Sequence, residues 1–204
     1  MRNTTKENRS FIEIHRRKQI LDIAVDMISR NGYQQTTMAA IAKEAGFSKG
    51  VIFYYFKNKE DLISQTGLTL LEELRSFTIG QMKKQAPGKG QLNAYVKAYF
   101  DFIRKNQKKF SILMEVGFNL NTMSQHSLFG SQEYAECRRR LDKLIQMEGM
   151  PKGEGQALSA VIQGMLDGVG IQWIADKSAV DLDACQSLIV EMVGRYMASD
   201  NMPE

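Results

Sequence analysis

The stretch "AIAKEAGFSKGVIFYYF", residues 40–56, decides the fold. Ile41, Ala42 and Ala45 recur at helical spacing, and Gly46 ends that run. Ser48 then offers an N-cap for a second short helix, after only two linking residues. Phe47 and Ile52 stand where a hydrophobic staple places its two members, which fixes the direction of approach. Ala42 is small at the point where the two helices cross. Gly46 can adopt the left-handed conformation that the turn needs. Two short helices joined by such a turn describe a helix-turn-helix. The second helix presents Ser48, Lys49, Gly50 and Val51 at its start. These side chains are small or cationic, so the backbone can approach base edges in a major groove. The four aromatics that follow divide by role. Phe53 and Phe56, three apart, are expected to share one face and fill the module's core. Tyr54 and Tyr55 point elsewhere, with hydroxyls available for phosphates.

Working outward, Ile20, Ile23, Ala24, Met27 and Ile28 form an apolar helical stripe that stops at Gly32. Thr37 caps the first short helix. Asn58 caps a fourth, with Glu60 and Asp61 in its first turn, where the helix dipole favours acids. Charge agrees with this division. The chain carries 27 Lys/Arg and 23 Asp/Glu, a formal net charge of +4. Residues 1–62 hold the whole excess, and the remainder is neutral. A positive lobe on a neutral body suits an N-terminal module that binds a polyanion.

Beyond residue 62 the periodicity stays helical. The fourth helix is expected to run to about Thr78, and "GQMKKQAPGKGQ" (80–91) reads as a loop. Helical stretches follow near 91–105 and 107–116. The region 117–148 is expected to break near Asn119–Gln125. "GMPKGEG" (149–155) reads as an interruption before two last helices, near 155–176 and 182–199, the second capped by Asp181 or Asp183. No strand or repeat is legible. The class is all-α, with an N-terminal three-helix module and a larger C-terminal helical domain. The expected division is 1–62 for DNA binding, with the helix-turn-helix at about 37–56, and 63–204 for ligand binding and dimerisation.

The stretch "GYQQTTMAAIAKEAGFSKGVIFYYFKNKEDL", residues 32–62, resembles the DNA-binding region of TetR-family transcriptional regulators. The likeness covers roughly 14–65, and the remainder agrees in length and helicity. The resemblance implies a homodimer whose two modules occupy successive major grooves of a near-palindromic operator. It also implies a C-terminal pocket for a small-molecule effector that releases the DNA. Carried over, Thr37 bonds a phosphate as well as capping its helix. Lys49, Gly50 and Val51 face base edges, Tyr54 and Tyr55 reach phosphates, and Lys59 adds a charged contact. Arg16 and Arg17 are placed to touch the DNA backbone or the adjacent minor groove. Tyr55 stands where the family more often has His.

The C-terminal part carries no nucleophile elbow, phosphate-binding loop or dinucleotide fingerprint, so no catalytic residue, enzymatic activity or cofactor is expected. His15 and His126 have no ligand partners at metal spacing, and no metal is expected. Cys137 and Cys185 read as reduced thiols within helices. A membrane span is not expected, and the polar start lacks a signal core, which points to the cytoplasm. Aromatic and Met residues are dense over 95–129. Tyr99, Phe102, Met114, Phe118, Met123 and Trp173 are the candidate pocket lining. Glu115, an acid among apolar residues, reads as a surface group or a partner for a cationic ligand. Val161, Met165 and Val169, with Leu188, Met192 and Tyr196, form stripes on the last two helices. Gly164 and Gly168 lie beside them, and together they predict a two-fold four-helix dimer interface. The partners expected are therefore a double-stranded DNA operator, a small-molecule effector and a second copy of the chain. The function expected is a repressor, with an activator of the same fold or an architectural DNA-binding protein as alternatives.

Overall fold

The structure is a computed structural model that describes residues 2–123, 128 and 130–199, with side chains described over 11–119, 128 and 130–198. Among them are nine α-helices and no strand: α1 (Arg2–Gln35), α2 (Met38–Glu44), α3 (Lys49–Tyr55), α4 (Lys59–Met82), α5 (Lys89–Lys105), α6 (Gln107–Met123), α7 (Gln132–Gln146), α8 (Lys152–Ala175) and α9 (Leu182–Ser199). The chain packs as two units. One comprises residues 1–69 and 112–128, the other 70–111 and 129–204. Helices α4 and α6 each contribute to both, so packing divides the chain elsewhere than after residue 62.

In the first unit the apolar stripe of α1 forms the core, with Ile20, Ala24 and Ile28 essentially inaccessible. Gly32 stops the helix as expected: its φ of 77° and ψ of 165° lie outside helical space. Helix α2 starts on Thr37, whose Oγ1 accepts from the Ala40 N–H at 3.2 Å. It ends in a Schellman motif. The Phe47 N–H donates to the Ala42 carbonyl at 2.9 Å and the Gly46 N–H to that of Lys43 at 3.2 Å. Gly46 makes this possible with a φ of +69°. Asn58 caps α4 through the Asp61 N–H at 2.7 Å, and Asp61 returns a bond to the Lys57 N–H at 2.8 Å.

One expectation fails here. Phe56 is buried, but Phe53 is 53% exposed. Helix α3 ends at Tyr55, and Phe56 is extended, with φ −138° and ψ 129°. Three-residue helical spacing therefore does not relate the two rings. Glu115 differs as well. Its Oε1 accepts from the Tyr33 N–H at 2.8 Å, a group that the break at Gly32 turns away from the helix ladder. Its carboxylate is half-buried and engaged by the backbone, so it is not a bare surface acid.

In the second unit α8 packs on α7, α5 and α9, and α5 packs on α7 and α9. Tyr99, Phe100, Ile103, Phe110, Leu141, Ile145, Ile162 and Leu166 form the core. The α4–α5 connection is shorter than the sequence predicts, because α4 continues to Met82 and α5 begins at Lys89. Glu148 closes that start by accepting from the Lys89 N–H at 2.7 Å. Helix α8 takes in Gly153 and Gly155, so the glycines after Pro151 do not delay it. Asp181 caps α9, accepting from the Asp183 and Ala184 N–H groups at 2.9 and 3.1 Å. By length and composition α8 alone among the described helices could cross a membrane, a possibility the sequence reading did not anticipate. It carries Gln163 and Asp167 into a polar cluster and packs on three other helices.

Candidate nucleic-acid interface and a buried polar cluster

Helix α3 is anchored by Ile52, which is fully buried, and by Phe56 just beyond its end. With those two inward, Ser48, Lys49, Gly50, Phe53 and Tyr54 are exposed, and Val51 and Tyr55 are half-buried. Ser48 stands at the N-cap without donating or accepting a capping bond, so its hydroxyl is available. Tyr54 and Tyr55 meet edge to face at 5.0 Å between ring centroids. The Tyr54 hydroxyl donates to Glu13 Oε1 at 3.1 Å, and this bond to an anion raises the pKa of the phenol. Sequence reading missed Glu13, which lies 41 residues away.

Other candidate contacts already have partners. The Lys59 ammonium donates to the Gln34 carbonyl at 3.1 Å and sits 4.5 Å from the centre of the Tyr33 ring. It thereby binds the start of α4 to the end of α1. The Arg17 guanidinium donates to Gln65 Oε1 at 2.8 Å and lies 5.5 Å from the Phe56 ring. Arg16 is exposed. Arg30 pairs with Glu44 at 2.9 Å, an exposed link from α1 to α2 worth ~0–1 kcal/mol.

The candidate pocket residues fall in both units. Tyr99 and Phe102 are buried in the second unit and Met114 in the first. Phe118 is 56% exposed. Trp173 is half-buried, with the Lys177 ammonium 5.3 Å from its ring. The Met123 side chain and His126 lie outside the described residues. His15 is exposed and meets the Phe11 ring edge-on at 5.8 Å. Both cysteines are free. Burial pushes the Cys137 thiol up to about 11, which keeps it protonated and unreactive near neutral pH. Among the described residues no three His, Cys, Asp or Glu side chains converge as a metal site would need.

The second unit instead holds a polar cluster that sequence reading did not find. Asp167 of α8 accepts from the hydroxyls of Tyr99 on α5 and Tyr134 on α7. It also accepts from Gln163 Nε2 at 3.1 Å. Gln163 Oε1 in turn accepts from the Tyr95 hydroxyl at 3.0 Å. Burial raises the Asp167 carboxyl above its ordinary range, against the opposing pull of its three donors. Burial and the neighbouring Asp167 raise the phenols of Tyr99 and Tyr134, so both stay protonated as donors.

The last two helices carry the expected apolar stripe outward. Val161 is 55% exposed, Leu188 56%, Met192 50% and Tyr196 47%, while Met165 and Val169 are half-buried. A Cβ at Gly164 or Gly168 would meet no atom within 4 Å, so this face of α8 is open in the protomer.

Comparison with known proteins places the α1–α4 geometry. Residues 20–66 match the profile of the bacterial regulatory proteins of the tetR family. A fatty acid metabolism regulator protein of Bacillus subtilis is 27% identical, over 86% of this chain and 92% of its own. The HTH-type transcriptional regulator BetI of Escherichia coli is 23% identical, over 91% and 95%. The crystal structure of the transcriptional regulator FadR from Bacillus subtilis in complex with stearoyl-CoA superposes with a TM-score of 0.66. It is 25% identical and covers 86% of this chain and 96% of that one. These relatives are transcriptional regulators, a class that works by binding and not by catalysis. The matched profile, the near full-length relatives and the helix-turn-helix geometry agree: residues 20–66 form a DNA-binding module of the tetR type, and the chain as a whole is similar to transcriptional regulators of that family.

Proposed function

We propose that the chain is a ligand-responsive repressor that binds a near-palindromic operator as a homodimer and leaves it when a small molecule binds the C-terminal unit. One observation carries the reading. Ser48, Lys49, Gly50 and Tyr54 are exposed together on a helix held from behind by Ile52, within the third of the chain that holds all the net positive charge. In this reading Lys49, Gly50 and Val51 face base edges. Thr37, Ser48, Tyr54 and Tyr55 bond phosphates and set the register. Lys59 acts on the phosphates chiefly by its charge, because its ammonium already holds Gln34. The chain works in the cytoplasm and catalyses nothing.

The exposed stripe of α8 and α9 supports the dimer. Two copies related by a two-fold axis bury Val161, Met165, Val169, Leu188, Met192 and Tyr196 against each other, with Gly164 and Gly168 allowing close approach. A C2 dimer reads a palindrome with half-sites about one helical turn apart. For the effector, the relative FadR is solved with stearoyl-CoA bound. A comparable site in this chain would draw on Tyr99, Phe102 and Trp173 of the second unit. The test is Lys49→Ala with Tyr54→Phe, read by fluorescence anisotropy on operator DNA and by thermal melting. Affinity should fall at least about tenfold, the loss of roughly one good contact, with the melting temperature unchanged. Retained affinity with a collapsed melting temperature would refute the assignment.

A further inference from the structure

Phe53 is a wholly apolar side chain on the outward arc of α3, and 53% of it is exposed. Ile52, one residue before it, is fully buried and anchors the helix, so Lys49, Gly50, Phe53 and Tyr54 face away from the module. The neighbouring rings pair with one another: Tyr54 with Tyr55 at 5.0 Å and Tyr55 with Phe56 at 6.5 Å between centroids. Among the described residues the Phe53 ring has no such partner. Nor does it fold back over Gly50, where an added Cβ would meet only Ser48 Oγ. A single exposed apolar residue needs no explanation on an ordinary surface. Phe53 instead lies among the groups that the DNA reading already uses, and that position constrains what its ring would meet.

The rest of that arc is polar or bare backbone: the Ser48 hydroxyl, the Lys49 ammonium, Gly50 and the Tyr54 hydroxyl. A phenyl ring has no donor or acceptor, so it cannot bond a phosphate or the polar edge of a base. Duplex DNA keeps its base faces stacked, which leaves the ring nothing to stack on. The major groove displays one apolar group, the C5-methyl of thymine. A ring packed on that methyl removes apolar surface of both partners from water. Lys49 and Phe53 are four apart and share a flank of α3. At roughly 1.5 Å per residue they stand about 6 Å apart along the helix, close to two base steps of about 3.4 Å.

We propose that Phe53 is a specificity-determining residue: its ring packs on the C5-methyl of a thymine in each operator half-site, within about two base steps of the base that Lys49 contacts. The proposal rests on the reading of α3 as the base-reading helix, and it adds a chemical group that the operator must present there.

The probe is duplex DNA selected from a random pool by the full-length protein, with each thymine replaced in turn by deoxyuridine. That change removes the methyl and keeps the base pair and its hydrogen-bonding groups. Anisotropy titration at fixed salt should find one thymine per half-site at which the change weakens wild-type binding about fourfold, and more than about tenfold when made in both half-sites. Phe53→Ala should bind the thymine and deoxyuridine duplexes equally and melt as the wild type does, because the ring is exposed. At that position cytosine should weaken wild-type binding and 5-methylcytosine should recover part of the loss, which assigns the effect to the methyl and not to the thymine O4. A selected half-site whose thymine methyls all prove dispensable overturns the proposal, and so does a folded Phe53→Ala that keeps the preference for thymine. Loss of the melting transition in Phe53→Ala would make the ring structural and overturn it as well. Each of these results leaves α3 as the reading helix if Lys49→Ala costs operator affinity. A pool that yields no consensus sinks both.

Discussion

The Tyr54 hydroxyl donates to Glu13 Oε1 at 3.1 Å, so a carboxylate of α1 holds one of the exposed groups that α3 presents. A phosphate at that hydroxyl has to compete with Glu13 and meets its negative charge. Glu13→Gln keeps the hydrogen bond and removes the charge. Operator affinity at fixed salt should rise about three- to tenfold, and the melting temperature should not move because both groups are exposed. Anisotropy titration reads the change, and an unaltered Kd would argue against Tyr54 as a phosphate contact.

Gly50 separates stability from binding. A Cβ there would meet only Ser48 Oγ, at 3.8 Å, so the free protein has room for it. Gly50→Ala should stabilise the helix by up to about 0.5–1 kcal/mol. The same methyl obstructs the close approach of α3 to base edges. Operator affinity should therefore drop tenfold or more while the melting temperature holds or rises. Parallel loss of both would contradict the placement of Gly50 at the DNA.

Glu115 satisfies the Tyr33 N–H at the end of α1. Glu115→Ala leaves that group without its partner and should cost about 1–3 kcal/mol in urea unfolding. Glu115→Gln retains an acceptor oxygen and should recover most of the loss. Equal losses in the two variants would show that the negative charge, and not the acceptor, matters there.

Leu188 and Met192 are half or more exposed on α9. Leu188→Lys with Met192→Lys places two charges in the expected two-fold interface. Sedimentation at micromolar concentration should show monomer for the variant and dimer for the wild type. A wild type that sediments as a monomer removes the basis for palindrome reading.

Asp167 has a folded-state pKa raised above its ordinary 3.8, chiefly by burial. Its protonated form therefore favours the folded state. That contribution is fully present below the ordinary value and is lost as pH rises through the raised one. Urea unfolding from pH 4 to 7 should show the wild type losing stability relative to Asp167→Asn across that window. A pH-independent difference would show that the carboxyl titrates normally.

The helix-turn-helix was legible because its signals are local. Thr37, Gly46 and Asn58 each act within five residues of themselves, so single positions reveal the caps and the turn. Phe53 was misplaced because helical spacing was carried one residue past the end of α3. Glu115 and the Asp167 cluster were illegible for a different reason. Tyr33 lies 82 residues from Glu115, and Tyr99 and Tyr134 lie 68 and 33 from Asp167. No window of sequence holds such pairs, and an acid on a mostly apolar helix resembles a surface residue until its partners are placed.

The central claim is that α3 of a two-fold dimer reads a defined DNA sequence. Selection of bound DNA from a random duplex pool with the purified full-length protein tests it most directly. The account predicts enrichment of a near-palindrome with half-sites about one helical turn apart, lost when Lys49 and Tyr54 are replaced together. A pool that binds but yields no consensus, or one half-site without its symmetry mate, would contradict it.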